Sequence, residues 1–240
     1  MSNFVKLISA IVLAAGFAAG GFFPGYFYYQ SKMNNNFVTV KGLAEKNVRA
    51  DLGVWDIKYV ATGNDLALTQ EQMENQQKII LSFLKDLGFK ESEIVVKRTE
   101  TNDLMANPYR NESAGSARYI LTQSIQLTSK NVDLVEKAVN STGTLISKGV
   151  VFDSNSYNPV SYLFTKINDI KPQMLEEATK NAQVAANEFA KSSNTKVGKI
   201  RKANQGVFSI LPREETASAM ELNSIEKKVR VVSTVEYYLD

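Results

Sequence analysis

The hydrophobic pattern opens with a run from Leu7 to Ser31 (LISAIVLAAGFAAGGFFPGYFYYQS) that holds no charged residue and is bounded by Lys6 and Lys32. A helix rises about 1.5 Å per residue, so a run of this length covers the roughly 30 Å hydrocarbon core of a bilayer. Two roles fit it, and both export the rest of the chain. Ala14 to Gly21 is rich in small residues, as in the cleavage region of a secretory signal. The apolar character nevertheless continues through Phe22, Phe23, Tyr26, Phe27, Tyr28 and Tyr29, an interfacial aromatic belt that favours a retained anchor. Glycines and a proline in an uncharged run suit a membrane better than the core of a soluble domain. Gly16, Gly20 and Gly21 offer a small-residue packing face, a weak signal in itself. Lys6 and the terminal amine place the N-terminus on the cytoplasmic side. The expected location is the inner membrane, single-pass, with the folded part periplasmic, or the periplasm after signal cleavage. Gln30 to Asn36 is polar and reads as a linker, which divides the chain into an anchor or signal with linker, 1–36, and an extracytoplasmic domain, 37–240.

Beyond the linker the apolar period drops to two. Phe37 to Val48 and the following VWDIKYVATG predict an antiparallel strand pair with Trp55, Ile57, Tyr59 and Ala61 on one face. Asn64 or Asp65 caps a helix in which Leu66, Met73, Ile80 and Leu87 recur with Phe83 and Leu84 beside them, and Gly88 ends it. A strand is expected at Ile94 to Thr99, then a polar connection from Asn102 to Ser116 containing Pro108 and Gly115. A strand from Arg118 to Thr128 comes next, with Tyr119, Leu121, Ile125 and Leu127 inward. Asn131 to Ser141 predicts a helix through Val132, Val135 and Val139, and LISKGVVFD a β-like stretch. A long helix spans Asn168 to Ser193, its stripe formed by Ile170, Met174, Ala178, Ala182, Ala185 and Phe189, with Pro172 in the first turn. Strands fit at Val197 to Ala203 and Lys227 to Leu239, the latter with Val229, Val231, Val235, Tyr237 and Leu239 on one face, separated by a long connection, Asn204 to Ser224.

These elements predict an α+β fold of long helices on antiparallel sheets. Helix, short strand, long polar connection and long strand occur twice in that order, which suggests an internal repeat of two helix-strand-strand units. Connections this long are either functional or disordered.

Composition narrows the chemistry. With 44% hydrophobic and 22% charged residues and five prolines, the chain has the make-up of an ordinary folded protein. The net charge of +3 comes from 28 basic and 25 acidic residues interspersed along the chain, too balanced for nucleic-acid binding by charge. Cysteine and histidine are both absent. That removes disulfides, thiol nucleophiles, the usual neutral-pH base and the commonest zinc ligands. No catalytic, cofactor-binding or metal-binding residue is assigned, and no cofactor is expected. Asp51 with Asp56, or Glu176 with Glu177, are the carboxylate pairs nearest to a glycosidase arrangement, but acids early in a helix also favour its dipole. Gly42 in KGLAEKNVRAD and Gly206 in ANQGVFS lack the spacing of a phosphate loop. Lys196, Lys199, Arg201 and Lys202 form a basic cluster that suits anionic lipid, a partner's acids or simply a solvated strand face. Asn111 and Asn140 begin glycosylation sequons, a pattern frequent by chance.

The segments VTVKGLAEKNVRADLGVW (38–55), YLFTKINDIKPQMLEEATKNAQVAANEFA (162–190), VGKIRKANQGVFSI (197–210) and KKVRVVSTVEYYL (227–239) resemble the SIMPL-domain family in its bacterial, YggE-like branch. The resemblance implies an α+β domain outside the cytoplasm, ring-like homo-oligomers and an association of some members with oxidative-stress defence. It implies no established enzymatic activity and supplies no catalytic residues. The expected function is a membrane-anchored, self-assembling scaffold, binding or stress-protective domain without catalysis, its partners being the membrane and further copies of itself. A carboxylate-based cell-envelope hydrolase and a pore-like oligomeric component are the alternatives.

Overall fold

The structure, a computed structural model, describes residues 3–33, 36–106, 117–153, 160–214, 216 and 220–240. In chain order the elements are α1 (Asn3–Met33), β1 (Phe37–Arg49), β2 (Leu52–Gly63), α2 (Leu66–Asp86), β3 (Ile94–Val96), β4 (Glu100–Asp103) and β5 (Tyr119–Ser129). They continue with α3 (Val132–Asn140), α4 (Gly143–Ser147), β6 (Val160–Leu163), α5 (Ile167–Ser192), β7 (Val197–Gln205), β8 (Ser209–Pro212) and β9 (Glu226–Leu239). The fold is α+β, with antiparallel sheets. Two compact units are present: Met1–Ala44 with Met174–Val207 and Val231–Asp240, and Glu45–Gln173 with Phe208–Arg230. Within α1, Ile8–Tyr29 is long and apolar enough to cross a membrane by length and composition, a test that a secretory signal also passes.

The second unit is built on β2 and β5, in register Trp55↔Leu127, Ile57↔Ile125, Tyr59↔Gln123 and Ala61↔Leu121. Alternation puts these residues on one face, where they are buried with Met73, Ile80 and Leu84 of α2, Val135 of α3 and Leu145 of α4. Asp65 caps α2 through a 3.0 Å bond from the Leu68 amide, while Asn64 accepts the Arg118 amide at 3.0 Å. Gly88, at φ 101°, carries the chain out of α2 in the left-handed conformation that costs glycine least. Phe89 then turns back into the core.

β1 and β2 do not pair with each other. The sheets run β1-β9-β7 and β3-β5-β2-β6, with β8 on β9 and β4 on β5. The connector Ala50–Asp51 is not a hairpin turn, because the Ala50 amide donates to the Ile225 carbonyl and the Asp51 amide to Leu163, each at 2.9 Å. LISKGVVFD is divided. Leu145 is buried as part of the helical turn α4, whereas Val151 to Asp153 runs antiparallel to β2. There the Val151 carbonyl accepts the Val60 amide at 2.9 Å, the Asp153 amide donates to the Lys58 carbonyl at 3.0 Å and Phe152 bridges to Tyr59. The segment's β-branched residues favour extended backbone, but packing of Leu145 decides the conformation of its first part. Part of the polar connection is strand: Glu100–Asp103 pairs with β5, while 107–116, with Pro108, Asn111 and Gly115, lie outside the described residues. In the second connection β7 extends to Gln205, β8 pairs with β9, and Glu221–Asn223 forms a 3-10 turn. Polar composition hides such strands because a neighbouring strand satisfies their backbone groups.

In the first unit Val40, Gly42 and Ala44 of β1 turn inward, and α5 buries Met174, Ala178, Ala182, Ala186 and Ala190. Val40, Ala182, Ala186, Val235 and Tyr237 form its core cluster. The buried stripe of α5 thus ends on Ala186 and Ala190; of the expected Ala185 and Phe189, Ala185 is half-buried against the same cluster and Phe189 lies outside it. Phe189 is 60% exposed. The close approach of helix and strand admits a methyl group there and excludes a ring. Asn181 adds a 2.8 Å bond to the Leu43 carbonyl.

The pairing order β2-β5-β3 with β4 on β5 has the same form as β1-β9-β7 with β8 on β9. Strand, helix, edge strand, short strand and long central strand occur as β2, α2, β3, β4, β5 and as β1, α5, β7, β8, β9. The first set lies in sequence between β1 and α5 of the second. The repeat expected from sequence therefore has a topological counterpart, enlarged by a leading strand and a short edge strand.

Candidate functional site

The candidate carboxylates stand apart in the roles they fill. Asp51 accepts from the Thr165 amide at 2.9 Å and its hydroxyl at 3.0 Å, which holds the segment after β6. Asp56, inside β2 whereas Asp51 lies in the connector before it, is 3.3 Å from the Lys97 ammonium. Glu176 and Glu177 are exposed on α5. Gly42 lies inside β1 and Gly206 follows β7, its amide donating to the Val232 carbonyl at 3.0 Å, so each does backbone packing. Asn140 ends α3. Among the described residues no three His, Cys, Asp or Glu side chains gather as a metal site.

A cavity of about 240 Å³ opens beside β2, with Trp55, Ile57, Val139 and Phe152 among its apolar lining. At its rim Lys58 and Asp153 form a 2.9 Å ion pair. The hydrogen bond and charge of Asp153 hold the Lys58 ammonium above its ordinary pKa, so it stays a cation and not a base. Within the core, away from the cavity lining, the Tyr59 hydroxyl donates to Gln123 Oε1 at 2.5 Å, and Gln123 Nε2 donates to the Lys97 carbonyl at 2.9 Å. Burial raises the Tyr59 hydroxyl above its usual pKa, which keeps it a neutral donor. The polar groups of the cavity are Asp56, Lys58, Thr142 and Asp153, and both carboxylates are engaged with lysines, Asp153 with Lys58 and Asp56 with Lys97.

Lys227 is a buried charge on a strand face that is otherwise apolar but for Ser233. Its side chain is fully buried, and its ammonium donates to the Glu221 carbonyl and, at 2.6 Å, to Glu221 Oε1. The sequence carries a signal for it: Lys227 shares its parity with Val229, Val231, Val235 and Tyr237, all inward on β9. The pair ties the 3-10 turn to the strand, a structural use.

Strand edges remain. β1 and β7 flank β9 in the first unit's sheet, so each has one side without a strand partner among the described residues. β7 carries Lys199, Arg201 and Lys202 and two register shifts against β9, devices that discourage edge-to-edge pairing. β1 runs 13 residues without proline. Of the basic cluster, Lys196, Lys199 and Lys202 are exposed, whereas Arg201 bonds Glu236 at 2.9 Å and stacks 4.0 Å over the Phe37 ring.

Residues 38–237 match the family model SIMPL, described as a protein of unknown function (DUF541). No curated protein matches the chain. Among solved structures, the regulatory subunit of aspartate kinase from Thermus flavus is similar at 11% identity, over 82% of this chain and 89% of that one. Its TM-score of 0.19 carries no argument about fold or activity.

Proposed function

The chain belongs to the SIMPL family, and from that premise we propose a membrane-anchored, periplasmic, self-assembling domain that acts as a scaffold or binding module without catalysis. The observation that carries the assembly part is the long edge of β1, which has no strand partner among the described residues and so is a template for another strand. A second copy of the chain carries the same edge and can supply such a strand. The anchor is supported by the uncharged run from Leu7 to Ser31 and by aromatic residues continuing to its end. Lys6 ahead of the run supports a cytoplasmic N-terminus. An oxidative-stress-protective setting is supported by the family resemblance alone.

Light scattering on the full chain in detergent tests the assembly. The expected protein mass is a discrete multiple of 26.6 kDa. A strictly monomeric chain at micromolar concentration would sink that part. Mass spectrometry of the mature N-terminus tests the anchor: a start near Gly20 would show a cleaved signal.

A further inference from the structure

We infer that the end of the first unit bearing Lys196, Lys199 and Phe37 is a membrane-contact face for the anionic headgroups of the bilayer that holds α1. This rests on the anchored part of the proposed function.

Strand register brings three chain segments abreast at that end. The Asn36 carbonyl accepts the Leu239 amide at 2.9 Å, and Lys196 and Asp240 exchange backbone bonds of 3.0 and 2.9 Å. Val197 sits opposite Leu239. The first residues of β1 and β7 and the last of β9 therefore lie side by side. Only Asn34 and Asn35 separate Met33, where α1 ends, from Asn36. Three Cα steps reach at most about 11 Å. The helical residues beyond Tyr29, the last of the apolar span, add about 6 Å, and the headgroup layer takes up a similar depth. The sheet end is thus tethered no farther from the headgroups than about one Debye length.

The charge at this end is available. Among the described residues Lys196, Lys199 and Lys202 are exposed and have no ion pair, whereas Arg201 is taken by Glu236. Asp240, whose carboxylate lies beside Gly198, is the acidic side chain at this level. β7 leads away at about 3.3 Å per residue, which leaves Lys199 about 10 Å and Lys202 about 20 Å from Lys196. Attraction to an anionic surface fades over a Debye length, so Lys196 and Lys199 carry it and Lys202 does not. Phe37, 42% exposed at the same level, adds an aromatic group of the kind that settles at membrane interfaces. A soluble acidic protein would have to be recruited to these lysines, whereas the tether holds the bilayer at high effective concentration.

The absence of cysteine gives the test a unique label site. A fluorophore on Ser192→Cys, exposed at the adjoining end of α5, reads approach to lipids that carry a headgroup quencher. The full chain is reconstituted in vesicles of phosphatidylcholine, alone or mixed with phosphatidylglycerol. In the anionic vesicles the ratio of docked to undocked molecules is expected to rise roughly thirtyfold, the value for two lysines at such a surface. The rise should vanish in K196Q/K199Q and in high salt, and persist in K202Q. Equal quenching in the two vesicle types, or a rise unchanged in K196Q/K199Q, would overturn the inference, and either result is expected if the lysines serve an acidic protein. Flotation with neutral vesicles separates the premise: a full chain that does not float with them defeats the anchor, whereas one that floats with equal quenching defeats only the contact face.

Discussion

Gly42 on β1 and Ala178 on α5 are packed backbone to backbone: a Cβ added at Gly42 would lie 2.9 Å from the Ala178 carbonyl carbon and 2.5 Å from the Ala182 nitrogen. The obstacle is main chain, which cannot swing aside as a flexible side chain does. Gly42→Ala is therefore expected to lower stability by about 3 kcal/mol, the upper end of the usual overpacking cost. Gly16→Ala, with open space around its Cβ, should leave thermal unfolding unchanged. Calorimetry or circular dichroism of the two variants checks the contrast.

The stripe on α5 makes a related prediction. Phe189→Ser, at an exposed position, should change stability by no more than about 0.5 kcal/mol. Ala186→Leu, at a fully buried one, should cost about 1–3 kcal/mol. A larger cost for Phe189→Ser than for Ala186→Leu would mean that the stripe expected from spacing, ending on Phe189, is the packed one. Spacings of three and four are both compatible with a helical face, and the choice between them rests on the strand underneath.

Breaking the buried Lys227–Glu221 ion pair leaves an ammonium that keeps the Glu221 main-chain carbonyl but loses its counter-charge. Glu221→Ala is expected to destabilise by about 3 kcal/mol, the low end for an orphaned buried charge because Glu221 is 30% exposed. Lys227→Met in the same background should recover most of the loss by removing the charge and keeping the volume. Denaturant unfolding of the single and double variants measures the recovery.

Glu93 predicts a pH dependence. Its carboxylate accepts the Ser129 hydroxyl at 2.6 Å and the Lys90 amide at 2.9 Å, and these bonds hold it below its ordinary pKa of 4.5. A depressed folded-state pKa stabilises the fold above the unfolded value and loses that contribution as pH falls through the folded one. Unfolding midpoints should drop as pH falls below 4.5. Ser129→Ala should flatten that drop, and a variant with the parent's slope would refute the assignment.

The alternation of Trp55, Ile57, Tyr59 and Ala61, the face of α2 carrying Met73, Ile80, Phe83 and Leu84, though not the exposed Leu66, and the uncharged run in α1 were legible because each depends on neighbours along the chain. Alternation and helical period assign a residue to a face without knowing what that face meets. The partners were not legible. Nothing local distinguishes β1 hydrogen-bonded to β2 from β1 hydrogen-bonded to β9, since the backbone groups that pair are the same in every residue. The short strands Glu100–Asp103 and Ser209–Pro212 were hidden for a like reason, being held by a neighbour and not by an apolar period. Lys227 was readable by parity, but its burial depends on Glu221 arriving from another turn. The sequence by itself thus determined the uncharged N-terminal run, the inward faces of the long strands β2, β5 and β9, the absence of cysteine and histidine and the family. Tertiary structure decided strand order, the close contact of Gly42 with Ala178 and the gathering of Asn36, Lys196 and Asp240 at one sheet end. Those are outcomes of long-range hydrogen bonding and packing, which no local pattern encodes.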